Sequence, residues 1–363
     1  MFALNPVQWL DTANPNTIRV LRFTLGVTLS FAVSLAVTWP LYYITPIFVA
    51  KFLGSPAPCP TLRMGIIFFL VIALGCATGL AVSLVTGQYP VVCLLTIAIL
   101  LFHIFYANVR GSSPLVVMFF LLGVTAIPLM GLESFALATA VAGGLLLSAS
   151  LALIFVWIAY GLIPDRVGTT QVSAPKKEQS TLSSHEQIRS AAISTLVVLP
   201  VVVLFYTYKM TDLLLVLVFI AILAQQPDIK LGIKGSIGLI AGNTLGGLVA
   251  IGFYNLLIAV PSFVFLILMT VVVALLFSEQ IFSGKPRAGL YTAAFSTLIL
   301  LIGSTTGDFG GDAASKFYTR IVHIVIAATY IVGTFAFLEL LSRRKQKQDS
   351  ADQSGLPEYI DVV

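Results

Sequence analysis

Long apolar stretches separated by short polar ones make up most of the chain. Twelve can be marked, at residues 17–38, 41–54, 65–86, 89–108, 113–130, 134–162, 188–207, 211–226, 234–257, 261–280, 288–304 and 315–341. Stretches such as LLTIAILLFHIF do not alternate between apolar and polar residues, as the strands of a membrane β-barrel would. Because lipid offers no partner to exposed backbone groups, we expect twelve transmembrane helices and an all-α polytopic membrane protein.

Composition agrees with this pattern. Of the 363 residues, 58% are apolar and 10% are charged, and the mean hydropathy is +1.01. Because soluble globular chains carry about 25% charged residues, this balance excludes an ordinary soluble enzyme and a disordered chain. Cys59, Cys76 and Cys93 match no metal-binding spacing, so we interpret them as free thiols rather than as a disulfide scaffold.

No sequence feature predicts catalysis or a cofactor. The chain has no G-x-x-x-x-G-K-[ST] loop for nucleotide phosphates, no catalytic triad and no metal cluster. The net charge of +5 comes from short loops beside apolar spans, where membrane orientation accounts for it without nucleic acid. We therefore expect a protein that is not an enzyme, holds no cofactor or metal, and uses neither ATP nor nucleic acid.

The Lys and Arg residues divide unevenly between the two sides of the membrane. With the N-terminus placed inside, seventeen of the 20 lie on the cytoplasmic side. Lys209 and Lys316 lie on the opposite side, and Arg320 lies within the last span. Because loops rich in Lys and Arg stay in the cytoplasm, this division predicts a multi-pass protein of the inner (plasma) membrane with both termini cytoplasmic.

The twelve spans divide into two halves of six. A polar stretch at 163–187 predicts a cytoplasmic linker, and landmarks recur on either side of it. The recurring landmarks are GCATG at Gly75–Gly79 with GNTLGG at Gly242–Gly247, and Pro90 with Pro261. Since each half has an even number of spans, the repeats are expected to be parallel. The predicted domains are an interfacial segment (1–16), the first repeat (17–162), the linker (163–187), the second repeat (188–341) and a cytoplasmic tail (342–363).

The second span of each half is short. Residues 41–54 contain Thr45-Pro46, and residues 211–226 run into Gln225-Gln226-Pro227-Asp228. In transporters built from repeats, broken spans at matching places mark the substrate pathway, which makes Pro46 a substrate-site candidate. The alternative is that span 2 is a continuous tilted helix with a proline kink.

Together these features resemble the fusaric-acid-resistance / aromatic acid exporter superfamily, in its compact branch without a large cytoplasmic domain. The resemblance rests on the duplicated six-span unit, the Gly-Thr-Gly signature in each third span, a preceding basic residue (Arg63 and Lys234), and Arg320 entering the last span. The first half departs from the pattern because its sixth span contains no Arg. The resemblance implies export of aromatic carboxylic acids and related drugs beside a periplasmic membrane-fusion adaptor, whereas plant relatives are anion channels.

Charged and titratable residues inside the spans are few. A guanidinium in hydrocarbon is costly and suits a carboxylate ligand, so Arg320 is a substrate-binding candidate, with snorkelling to the headgroups as the alternative. His323 lies three residues further, on the same helix face. It is a candidate proton carrier or an interior hydrogen-bonded histidine. Asp212, at the start of span 8, is the second proton-coupling candidate.

Span 9 and span 11 contain further polar residues. Asn243 is a candidate substrate donor or a packing residue. Span 11 contains Tyr291, Thr292, Ser296 and Thr297. Because Thr292 and Ser296 are one turn apart, they form a hydroxyl stripe that lines a pathway or binds helices together. Four glycines are assigned to close helix packing because their G-x-x-x-G spacing permits it. These are Gly75, Gly79, Gly242 and Gly246.

The function expected from these features is secondary export of aromatic or other organic anions, driven by the proton-motive force, with a site between spans 2 and 8. A passive anion channel is the alternative, because no carboxylate lies near the membrane midplane. A non-transporting scaffold of an envelope complex is the second alternative. The expected partners are the organic anion, the lipid bilayer and a membrane-fusion adaptor, and the chain acts alone or as a homo-oligomer.

Overall fold

The computed structural model describes residues 15–55, 58–87, 89–164, 183–211, 229–285 and 288–306, with short pieces at 216–217, 220–221 and 224–225 and single positions between 322 and 334. This part of the chain forms ten α-helices and no strand. They are α1 (Pro15–Val37), α2 (Ile44–Leu53), α3 (Leu62–Thr86), α4 (Pro90–Val109), α5 (Pro114–Gly131), α6 (Phe135–Leu162), α7 (Ser184–Thr207), α8 (Ile229–Ala259), α9 (Phe263–Ile281) and α10 (Ala288–Thr306).

Eight of these helices are long and apolar enough to cross a membrane, whereas α2 and α5 are shorter. The all-α class is therefore confirmed, and the architecture fits a multi-pass membrane protein. The ten helices coincide with ten of the twelve predicted spans. Predicted span 8 is described only in short pieces and span 12 only at single positions, so the count of twelve and the paired repeats stay predictions.

The ends of the helices follow local sequence signals. Pro90 and Pro114 occupy the first turns of α4 and α5, where a missing backbone N–H costs nothing. Ser183 and Glu186 form a capping box that begins α7 at Ser184. The predicted linker therefore ends a few residues earlier than expected, because its last polar residues form the first turn of α7.

Glycines set the closest helix contacts. A Cβ at Gly79 would collide with the backbone carbonyl of Gly123, and one at Gly75 would lie 2.8 Å from the Phe119 oxygen, so α3 and α5 pack backbone to backbone. In the second half, a Cβ at Gly246 would collide with the Ala294 carbonyl, which brings α8 equally close to α10. Small residues are what permits such contact between helices in lipid.

We define the lower end of the helix bundle as the end where α1 begins and the upper end as the end where α1 finishes. Helix α1 lies in the interior and packs against α2, α6, α9 and α10, while α4 packs against α7. The outward faces of α3 and α4 are apolar and exposed, as at Leu74, Leu84, Val91, Leu95 and Ile99. Such faces suit contact with lipid chains.

The second predicted span forms one short helix that begins three residues later than expected. Residues 38–43 form turns with left-handed backbone at Thr38 (φ 48°) and Leu41 (φ 62°), and helix begins only at Ile44. The ten residues of α2 rise about 15 Å, half of the hydrocarbon thickness of about 30 Å. Pro46 does not kink this helix, because it lies in its first turn, where proline is tolerated.

Candidate functional site

A cavity of about 550 Å³ opens at the lower end of the bundle, between α2, α3 and α5. Its volume lies within the range of about 300–1,000 Å³ typical of small-molecule sites. Apolar side chains supply most of its wall, and none of the described residues that line it is acidic. The residues that the argument uses are Phe48, Lys51, Phe52, Phe68, Met118 and Phe119.

Four phenylalanines form one side of the cavity as a connected aromatic group. Phe68 lies in its middle, with ring centroids 4.9 Å from Phe52 and 5.4 Å from Phe119. Phe48 contacts both Phe68 and Phe119, at 5.9 and 5.6 Å. All four pairs meet edge to face, with interplanar angles between 75° and 86°. This geometry leaves ring edges and faces available to a further aromatic group.

Among the described residues that line this cavity, Lys51 is the only cation. It lies in the last turn of α2, its side chain is exposed, and its Nζ lies 3.7 Å from the Met118 sulfur. A thioether is a weak acceptor, so the ammonium retains donors for an anion. Phe48 and Phe52 flank Lys51 on the same helix, which places one positive charge beside the aromatic group.

Residues 58–60, which precede α3 and lie at the lower edge of the cavity, are held in place by a tryptophan. The Trp157 indole N–H, on α6, donates to the Pro60 carbonyl at 2.8 Å. Gly65 permits this approach, since a Cβ there would lie 3.0 Å from the Trp157 ring. Pro58 and Pro60 both line the cavity. One hydrogen bond and two conformationally restricted residues therefore fix this edge of the cavity.

These features together suit an apolar or aromatic anion. Phenyl edges and faces contact a flat ring, and the ammonium pairs with a carboxylate or similar group. A cation would gain nothing here, because Lys51 would repel it. The arrangement therefore supports non-covalent binding of an anion.

The comparisons with known proteins cover the same region. Residues 19–159 match the model of one family, described as a protein of unknown function (DUF2955). No curated protein and no solved structure matches the chain. The matched segment extends from α1 to near the end of α6, so it contains the entire cavity and its Lys51.

Five of the residues predicted from sequence to bind substrate are described, and none of them is among the described residues that line this cavity. Pro46 comes nearest, buried on α2 two residues before Phe48. Asn243 is 5% exposed and accepts a hydrogen bond from the Thr297 hydroxyl, so in this structure it joins α8 to α10. The four glycines assigned to packing, Gly75, Gly79, Gly242 and Gly246, lie at such helix contacts.

The hydroxyl stripe on α10 is satisfied within its own helix. Thr292 donates to the Ala288 carbonyl at 3.2 Å, and Ser296 donates to the Thr292 carbonyl at 2.9 Å. The Tyr291 ring meets the Phe277 ring edge to face at 6.4 Å. The structure therefore groups these three residues on α10, and none of them is among the described residues that line the cavity.

Arg320, His323 and Asp212 lie outside the described residues, so their roles stay predictions. The residues that sequence reasoning missed are Lys51 and its phenylalanines, because the sequence placed Lys51 only among the seventeen cations of the cytoplasmic side. One signal could have found it: a lysine inside the apolar stretch 41–54, with Phe48 three residues before it and Phe52 directly after.

Proposed function

We propose that the protein is a secondary exporter of aromatic or other organic anions in the inner membrane, within the fusaric-acid-resistance / aromatic acid exporter superfamily. The observation that carries this proposal is the cavity that combines four phenylalanines with a single lysine. An aromatic acid has the matching pair of groups, a flat ring and one negative charge. A membrane-fusion adaptor in the periplasm is a further part of the proposal.

The short second span supports transport rather than static packing. Unusually short spans in repeat-built transporters point to the substrate pathway, and the ten-residue helix α2 supplies three of the cavity residues, Phe48, Lys51 and Phe52. The proposed arrangement is twelve spans in two parallel repeats. It is supported by the matching contacts of Gly79 with Gly123 in α3 and α5 and of Gly246 with Ala294 in α8 and α10.

The proposed orientation in the membrane makes the cavity the site where substrate binds from the cytoplasm. With both termini cytoplasmic, the lower end of the bundle faces the cytoplasm, where an exported acid is collected. The proton-motive force is the proposed energy source, with Arg320, His323 and Asp212 as candidates for later steps. A passive anion channel is the second candidate, because the cavity lining contains no acidic residue for a proton to titrate.

Uptake of labelled benzoate into inverted membrane vesicles tests the proposal. An imposed pH gradient and an imposed membrane potential are applied separately to the parent protein, Lys51→Met and Lys285→Met. Lys285 is an exposed lysine in the loop between α9 and α10 and provides the same change of charge. Loss of a charged hydrogen bond of about 1.5–3 kcal/mol weakens binding by about tenfold or more, so we expect a raised KM in Lys51→Met and not in Lys285→Met.

The two gradients separate the two candidates. Uptake that requires the pH gradient supports the exporter, and uptake that follows the potential alone supports the channel, since the potential supplies about 2.3 kcal/mol per charge per 100 mV. Equal KM values for Lys51→Met and the parent would contradict the assignment of the cavity. No uptake of any tested organic anion under either gradient would contradict transport itself.

A further inference from the structure

Residues 38–43 join α1 to α2 at the upper end. They pack between one helix of the first half and one helix of the second half of the chain. On one side the segment lies against α6, where a Cβ added at Gly144 would collide with the Pro40 carbonyl. On the other side it lies against α10, where a Cβ at Gly303 would lie 2.5 Å from the Tyr43 Cβ. Two glycines on different helices thus make room for one short segment.

Hydrogen bonds hold the segment on both sides. The Trp39 indole donates to the Ser148 hydroxyl at 2.9 Å, and Ser148 in turn donates to the Leu41 carbonyl at 3.1 Å. The Tyr42 hydroxyl donates to the Gly303 carbonyl. One side chain of α6 and one backbone carbonyl of α10 therefore fix the segment between the two halves.

The segment is conformationally strained and has space beside it. Thr38 and Leu41 both have positive φ, which is unfavourable for a β-branched or bulky residue. A second cavity, of about 500 Å³, lies at the upper end, lined by Leu35, Thr38, Leu257, Leu266 and Thr306 among others. Strain of this kind is retained where the surroundings enforce it and is released when they move.

We propose that residues 38–43 are the gate that closes the upper end of the transport pathway, with Gly144 and Gly303 as its two seats. Closing this end while the Lys51 cavity is open at the other is what alternating access requires. The gate opens when the segment leaves the glycines and moves toward the upper cavity. This inference rests on the proposed transport function, but its test does not require transport.

The test replaces the seats with alanine and measures access to a residue behind the gate. Gly144→Ala and Gly303→Ala place a Cβ where the segment lies, whereas Gly143→Ala on α6 and Gly289→Ala on α10 meet nothing within 4 Å and serve as matched controls. The reporter is Thr45→Cys, at a fully buried position directly after the segment, in a protein whose three native cysteines are replaced. The probe is a membrane-impermeant maleimide, applied to the upper side, which Tyr208→Cys identifies.

We expect the reporter to react at least about tenfold faster in both seat variants than in both controls, because a penalty of about 1.4 kcal/mol on the closed state already gives that factor. Equal protection in seat and control variants at equal membrane abundance would overturn the gate. If a seat variant does not reach the membrane, Tyr42→Phe and Trp39→Phe, which each remove one donor, decide the question by the same measurement. Absence of benzoate transport in the parent protein would count against the exporter. The labelling rates would still decide whether residues 38–43 close the upper end.

Discussion

Arg22 and Lys51 show how two cations near the lower end of the bundle take on different roles. The Lys51 side chain is exposed to a cavity, and its ammonium lies near the Met118 thioether, which is a weak acceptor. Arg22, on α1, is 4% exposed, donates to the Ile163 carbonyl at 3.3 Å and lies 3.9 Å from the centre of the Tyr160 ring. The first is available to a ligand, and the second joins α1 to the end of α6.

Replacing Arg22 with leucine is expected to destabilise the protein. The change removes the cap on the last turn of α6 and the contact with the Tyr160 ring, and it leaves the Ile163 carbonyl without this donor. The expected cost is about 1–3 kcal/mol, seen as a lower Tm in detergent. Arg19→Leu is the control one turn earlier on α1, and an equal fall in Tm in both variants would contradict the role given to Arg22.

At the residue level, sequence reasoning located charges but could not assign them. The sequence placed Arg22 and Lys51 together among the seventeen cations that orient the chain, and in the structure both lie within helices. Whether a cation near a helix end meets solvent, a carbonyl or a cavity depends on residues far away in the chain, such as Ile163 and Met118. The 25 phenylalanines posed the same problem, because only the fold selects the four that surround one cavity.

Helix positions could be predicted closely from sequence, because hydrophobic stretches bounded by Pro, Gly and Ser determine them locally. The ten described helices fall on ten predicted spans, with ends that differ by at most five residues. The start of the helix in span 2 could not be decided, because Pro46 is compatible with both a kink and a first turn. Tertiary contacts of residues 38–43 with Gly144, Ser148 and Gly303 stabilise the turns that precede Ile44.

At the level of helix pairs, the glycine contacts predict that glycine-to-alanine substitutions lower the stability of the protein at some positions and leave it unchanged or raise it at others. Gly79→Ala and Gly246→Ala each insert a methyl group against a facing backbone carbonyl, so we expect a loss of about 1–3 kcal/mol in stability. Gly252→Ala, also on α8, meets nothing within 4 Å. It is expected to be neutral or to gain up to about 1 kcal/mol, because alanine favours helix over glycine.

Thermal unfolding of the three purified variants in one detergent checks this ordering. The similarity of the two lowered Tm values also bears on the repeat, because Gly79 and Gly246 occupy the same place in the two glycine signatures. A Gly246→Ala protein as stable as Gly252→Ala would show that α8 and α10 do not depend on their close contact.

For the whole molecule, the proposed function depends on which side of the membrane the Lys51 cavity faces. The predicted topology places Lys285 and the tail at 342–363 in the cytoplasm and Tyr208 on the opposite side. Three spans separate Tyr208 from Lys285, and two separate Lys285 from the tail. The sidedness of these three sites therefore tests predicted spans 8 and 12 one at a time.

Single cysteines at positions 208, 285 and 350, in a protein without its native cysteines, are labelled with an impermeant maleimide in intact cells and in inverted vesicles. We expect position 208 to react in cells and positions 285 and 350 to react in inverted vesicles. If span 8 did not cross the membrane, positions 208 and 285 would share a side; if span 12 did not cross, positions 285 and 350 would differ. Lys51 lies at the same end of the bundle as Lys285. Labelling of position 285 from outside the cell would therefore mean that the cavity faces the periplasm, where it would bind substrates for uptake rather than for export.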